Sequence, residues 1–221
     1  MKVMILAAGR GERMGRLTDS CPKPLLQIGG VPLIEHHILA LKEHGFNEFV
    51  INIAYLGGQI KTTLGNGERW GVVIEYSDEG EQALETGGGI FRALPLLGKE
   101  PFLLVNADVW TDFPYGSLRG KTDKDIHLVL VNNPIHNKAG DFSLLDGAAK
   151  IEGDERYTYS GIGVFNPVIF EQQKAGVFPL APIIRQSISQ GRVSSELHNG
   201  EWIDVGTPER LADLELKLRQ A

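Results

Sequence analysis

Only one cysteine, Cys21, occurs in the chain, so no intramolecular disulfide can form, and no Cys/His cluster has the spacing of a zinc site. Positive charge is also scarce. Lysine and arginine total 22 against 28 acidic residues, a formal charge of −6. That balance argues against a protein that coats nucleic acid, which needs a basic footprint, but allows a small phosphorylated ligand held by a few cations. Long apolar runs are missing: Val3-Met4-Ile5-Leu6 breaks at once into a Gly/Arg loop, unlike a signal peptide or membrane span. There is no Asn-x-Ser/Thr sequon, no repeat, no low-complexity tract and no linker of more than a few residues. Cytoplasmic residence and no membrane partner are the expectation.

What is present is globular. Hydrophobic residues make up 42% of 221 positions and charged residues 23%, enough to bury a full core without staples. Short apolar runs alternate with amphipathic stretches, the pattern of a parallel-rich α/β sheet. Strands are expected at 3–6, 49–53, 72–76, 102–105, 126–131, 157–165 and 202–205, with a hairpin around Asp146-Gly147. Helices are expected at 32–44, 59–64, 86–94 (ended by Pro95), 180–189 and 208–219, the last capped by Thr207. One domain over 1–221 is expected, with an antiparallel excursion near 140–165.

Gly9-Arg10-Gly11-Glu12-Arg13-Met14-Gly15 follows the first strand directly. Glycines there let backbone N–H groups approach phosphate oxygens, and two arginines add charge-assisted hydrogen bonds. A tight turn alone needs one or two glycines, not three with two arginines. The dinucleotide fingerprint does not fit, because its third glycine comes one residue late, at Gly15. A Walker loop is absent, and Gly116-Ser-Leu-Arg-Gly-Lys-Thr122 is one residue too short with no strand leading into it. Eight residues beyond Gly15, the prolines of Pro22-Lys23-Pro24-Leu25 are expected to hold Lys23 in a stiff extended segment, suited to neutralising phosphate charge. Asp108 follows the most apolar strand and Asp204 ends another, just before a capped helix. Both are therefore expected at the ligand-binding carboxyl edge of a sheet. His36 and His37 read as ordinary helix residues.

Leu6–Met14 together with Pro22–Leu25 resembles the signature of the sugar-1-phosphate nucleotidyltransferases. The likeness continues through Leu84–Gly89, Val105–Asp108 and Trp202–Pro208, almost the whole chain. It implies a Rossmann-like three-layer α/β fold with a mixed, mostly parallel sheet and a small antiparallel sugar-binding excursion. Residues 1–110 would mainly bind nucleotide and 111–221 mainly sugar. It implies Arg13 and Lys23 as catalytic residues; Ala8, Gly9, Gly11, Glu12, Gln82, Gly87 and Asn106 as further nucleotide contacts; Gly140, Glu152 and Ser160 as sugar contacts; and Asp108 and Asp204 as ligands of Mg²⁺. The implied substrates are UTP and a sugar 1-phosphate supplied by an upstream sugar kinase. The compact length and acidic loop Ser77–Gln82 are most like the branch acting on N-acetylmuramate 1-phosphate, with Lys138, Lys150 and Arg156 as candidates to meet its lactyl carboxylate. Another pair, such as mannose 1-phosphate with GTP, or a non-catalytic nucleotide-sugar sensor, are the alternatives.

Overall fold

A computed structural model describes residues 1–220. In chain order its elements are β1 (Val3–Leu6), β2 (Gln27–Ile28), β3 (Val31–Pro32), α1 (Leu33–Glu43), β4 (Glu48–Ile53), α2 (Gly57–Leu64), β5 (Val73–Asp78), α3 (Glu85–Leu97) and β6 (Phe102–Asn106). They continue with β7 (Val109–Thr111), β8 (Ile126–Val131), β9 (Ser143–Leu145), β10 (Ala148–Lys150), β11 (Thr158–Phe165), α4 (Ala181–Ser189), β12 (Val193–His198), β13 (Trp202–Asp204) and α5 (Pro208–Gln220). Nine strands form one sheet in the order β5-β4-β1-β6-β11-β8-β12-β10-β9.

Apolar alternation explains the layers. In β1, Val3 and Ile5 point to one face while Met4 points to the other; in β6, Leu103 and Val105 oppose Phe102 and Leu104. Ile34, Ile38 and Leu41 of α1 cover the first face. Ile90, Ala93 and Leu97 of α3 and Ile183, Ile184 and Ile188 of α4 cover the second. Both faces of the middle strands are thereby sealed, which is why they read as unbroken apolar runs.

From β1 the chain passes to β4 and β5 on one side, then returns to β6 on the other, all in parallel. The reversal between β1 and β6 opens a crevice at their carboxyl ends.

Several expectations are corrected here. Helix α3 runs through Pro95 to Leu97, because a proline in the last turn removes only one helical hydrogen bond. β11 is no peripheral excursion: it lies antiparallel between β6 and β8, buried along nearly its whole length. Only the β9–β10 hairpin sits at the edge, turning through Asp146 (φ 50°) and Gly147 (φ 74°) as a type I′ turn needs. β12 lacks a clear apolar period and β7 has three residues, so neither stood out from its pattern.

β11 is also bulged. Its partners in β8 skip from Tyr159↔Leu130 to Gly163↔Leu128. Ser160 Oγ stitches the bulge, donating to Val129 O (2.7 Å) and accepting from Ile162 N (3.1 Å). Gly161 adopts φ 80°, and a Cβ there would lie 2.5 Å from Asn106 Nδ2, so only glycine lets the bulge meet the end of β6.

Candidate active site

The crevice is a cleft of about 470 Å³ at the β1/β6 reversal, reached by Ala8, Gly9, Gly11, Glu12, Arg13, Lys23, Asn106 and Asp108. The loop after β1 is anchored from below, where Ala7 N donates to Asn52 Oδ1 at 2.8 Å. Gly11 takes a left-handed conformation (φ 70°) and starts the 3₁₀ turns of Glu12–Thr18. Gly9 faces open space, so backbone is exposed to whatever fills the cleft.

Lys23 does not sit in an extended segment. Pro22 is extended, but Lys23–Leu25 form one 3₁₀ turn, with Leu25 N donating to Pro22 O at 2.8 Å. Pro24 fits because the first N–H groups of a helical turn have no internal partner to lose. The stem of Lys23 packs against Gly11, leaving the residue 7% exposed, and its Nζ donates to Asp108 Oδ2 at 2.5 Å.

The two predicted metal ligands meet through the β7–β13 ribbon. Asp204 pairs in register with Val109, and Val205 N donates to Asp108 O at 2.8 Å. Asp204 Oδ2 accepts from Arg210 Nη1 (2.9 Å) and lies 3.0 Å from His136 Nε2, whereas Oδ1 is buried with no hydrogen-bond partner. Backbone pairing brings residues 108 and 204 side by side; Asp108 lines the cleft and Asp204 does not, but its orphaned oxygen is a donor free for a hard cation. Among the described residues no group of three or more His, Cys, Asp or Glu could form a metal cage. Two carboxylate residues without a third suit a divalent cation such as Mg²⁺ only if phosphate and water complete its shell.

Gln82 is exposed in the loop before α3 and does not line the cleft. Gly87 is buried beneath it, where a Cβ would come within 2.5 Å of the Phe178 ring. Gly88 and Gly89 are as tightly placed, against Gly176 O and Glu79 Oε1. The glycine triple thus lets α3 press onto the 176–178 segment and onto Glu79. Glu79, a residue the motifs did not single out, accepts from Asn52 Nδ2 (2.6 Å) and Leu84 N (2.7 Å) and walls the cleft with Thr86. The polar Asn52 inside the otherwise apolar β4 was the available signal.

A second chamber of about 290 Å³ shares Thr86 and Asn106 with the first and is lined by Asp141, Phe142, Tyr159, Leu180, Ile184 and Arg185. Asp141 Oδ2 accepts from Tyr159 N at 2.8 Å and Asn137 Nδ2 at 3.2 Å. The Tyr159 hydroxyl is buried without a partner, and burial pushes its pKa well up, so it stays a donor. Of the three expected sugar contacts none lines this chamber. Gly140 adjoins it through Asp141 but is packed on the Arg156 backbone, Glu152 is exposed, and Ser160 is committed to the bulge. His37 is a core residue on α1, 3.2 Å from the Tyr115 hydroxyl, and desolvation lowers its pKa to about 4.

A glycine–arginine loop at a topological switch point, a buried lysine and two joined chambers are the arrangement expected of an α/β enzyme that handles phosphorylated ligands. The nucleotidyl transferase family profile matches residues 2–142. The chain is 50% identical to an N-acetylmuramate alpha-1-phosphate uridylyltransferase of Neisseria meningitidis serogroup B, covering 96% of each chain. It is 31% identical to the Caulobacter vibrioides protein of the same name, over 99% of this chain and 97% of that one. The fold matches HddC from Yersinia pseudotuberculosis complexed with GMP-PN, with a TM-score of 0.82 at 20% identity over 98% of this chain and 99% of that one. The chain belongs to the sugar-1-phosphate nucleotidyltransferase family and is an enzyme of that class. Among the described residues no helix is long and apolar enough to cross a membrane.

Proposed function

We propose that the enzyme transfers a uridylyl group from UTP to N-acetylmuramate 1-phosphate, giving UDP-N-acetylmuramate and pyrophosphate. The likeness over nearly full length to the Neisseria uridylyltransferase carries the choice of substrates. The two chambers meeting at Thr86 and Asn106 support the chemistry, since nucleotide and sugar phosphate must meet at one phosphorus. UTP occupies the larger chamber, its phosphates over Ala8–Arg13, and the sugar occupies the smaller.

A phosphate oxygen of the sugar phosphate attacks the α-phosphorus of UTP. The bond to the bridging oxygen breaks, and pyrophosphate leaves with its electron pair. The nucleophile is already an anion, so no general base is needed and the work is alignment and charge neutralisation. Arg13 and Lys23 supply cations on the triphosphate, with Lys23 directed by Asp108. Asp108 and Asp204 would hold Mg²⁺, whose chemistry is to neutralise and align phosphate oxygens. Asn106, fixed against Gly161, stands where the two substrates join. On this reading a sugar kinase acting on the anomeric hydroxyl supplies the sugar 1-phosphate, in a recycling route for cell-wall sugar within the cytoplasm.

The test is pyrophosphate release with four NTPs against the 1-phosphates of N-acetylmuramate, N-acetylglucosamine, glucose and mannose, with and without magnesium. Magnesium-dependent turnover confined to UTP and N-acetylmuramate 1-phosphate is expected. Turnover with a different pair would keep the mechanism and replace the substrates; none at all, with nucleotide still bound, would leave a sensor.

A further inference from the structure

Arg10, Arg13 and Lys23 line the nucleotide chamber, whereas among the described residues the smaller chamber has one cation in its lining, Arg185. It projects from α4, whose Ile183, Ile184 and Ile188 are buried, so the backbone beneath it is fixed by the core. Its guanidinium carbon lies 5.4 Å from the centroid of the Phe142 ring. No carboxylate pairs with it among the described residues. An exposed guanidinium stacked on an aromatic face, at the wall of a chamber that also holds a buried unpartnered Tyr159 hydroxyl, is a donor set without its acceptor.

N-acetylmuramate differs from N-acetylglucosamine by a lactyl ether on O3 that ends in a carboxylate. On the reading that N-acetylmuramate 1-phosphate is the substrate, we propose that Arg185 recognises that carboxylate and so selects the sugar. The cations expected from the sequence are placed elsewhere. Lys138 and Lys150 are exposed and line neither chamber, and Arg156 Nη2 is committed to Asp141 O at 2.7 Å. Asp141, also in this chamber, contributes selection of opposite sign. Its carboxylate accepts from sugar hydroxyls and repels the lactyl group, so the sugar is oriented with its anionic arm toward Arg185.

Binding separates the claims. Dissociation constants for UDP, UDP-N-acetylglucosamine and UDP-N-acetylmuramate are measured by calorimetry on the full-length protein and on Arg185→Gln. The variant should bind UDP-N-acetylmuramate about 10- to 100-fold more weakly, the loss of a charge-assisted contact, while the other two change by less than about twofold. Arg185→Lys should recover part of the loss. An equal loss for all three ligands, or unchanged affinity for UDP-N-acetylmuramate in a variant whose wild type prefers it, overturns the assignment of Arg185 and leaves the substrate reading standing. A wild type that binds both nucleotide sugars equally overturns the substrate reading and the assignment with it.

Discussion

Replacing Lys23 by Met keeps the aliphatic stem that packs on Gly11 and removes the charge. Two energies compete for the outcome. Breaking a sealed ion pair costs about 3–5 kcal/mol, because the remaining charge is stranded away from water. Here the Asp108 side chain is 36% exposed, so water can solvate the freed carboxylate. The stability loss should therefore fall to about 1 kcal/mol, a shift of roughly 2–4 °C in the thermal midpoint for a chain of this size. The catalytic loss should be larger. One preorganised charge facing a transition state is worth about 10²–10³ in kcat, or ~3–4 kcal/mol. The assay is pyrophosphate release at saturating UTP and sugar 1-phosphate, beside a melting curve. Activity within fivefold of wild type would remove Lys23 from the chemistry. A midpoint lowered by more than ~10 °C would show that the pair is chiefly structural.

Asp204→Asn, which keeps the shape but removes the negative charge of the carboxylate, should raise the magnesium concentration for half-maximal rate by roughly tenfold or more; an unchanged requirement removes Asp204 from the metal site. Ser160→Ala leaves Val129 O and Ile162 N without their partner inside the sheet, so it should cost about 1–3 kcal/mol in urea unfolding with little change in the KM for sugar phosphate. The reverse pattern, normal stability with a raised KM, would return Ser160 to the sugar site. His37 is neutral in the folded state down to about pH 4, while the unfolded chain takes up its proton near pH 6.5. Stability from this residue is therefore full above about pH 6.5 and is lost as pH falls toward 4, by up to about 3 kcal/mol. His37→Gln should flatten that part of the urea-midpoint profile, and an unaltered slope would refute the assignment.

Local pattern by itself determined the loop after β1 and the buried strands, because each is written in a few consecutive residues, whereas the prolines around Lys23 did not announce its 3₁₀ turn. The apolar runs of β1, β6 and β8 specify strands sealed on both faces, and the glycines after β1 specify a turn with a left-handed start at Gly11. Position at strand ends, together with the family resemblance, singled out Asp108 and Asp204. The meeting of their backbones was decided by pairing between β13, which the sequence announced, and the distant three-residue β7, which it did not. The smaller chamber was less legible. Ser160 sits in a segment rich in β-formers, but only the insertion of β11 between β6 and β8 commits its hydroxyl to a bulge. Tyr159 and Arg185 come from a strand and a helix with no shared motif, and they face one chamber only because α4 packs across the far half of the sheet. The glycine triple shows the division within three residues. Its composition announced a special backbone, but the reason, close approach to Phe178, Gly176 and Glu79, exists only once distant segments are folded against α3.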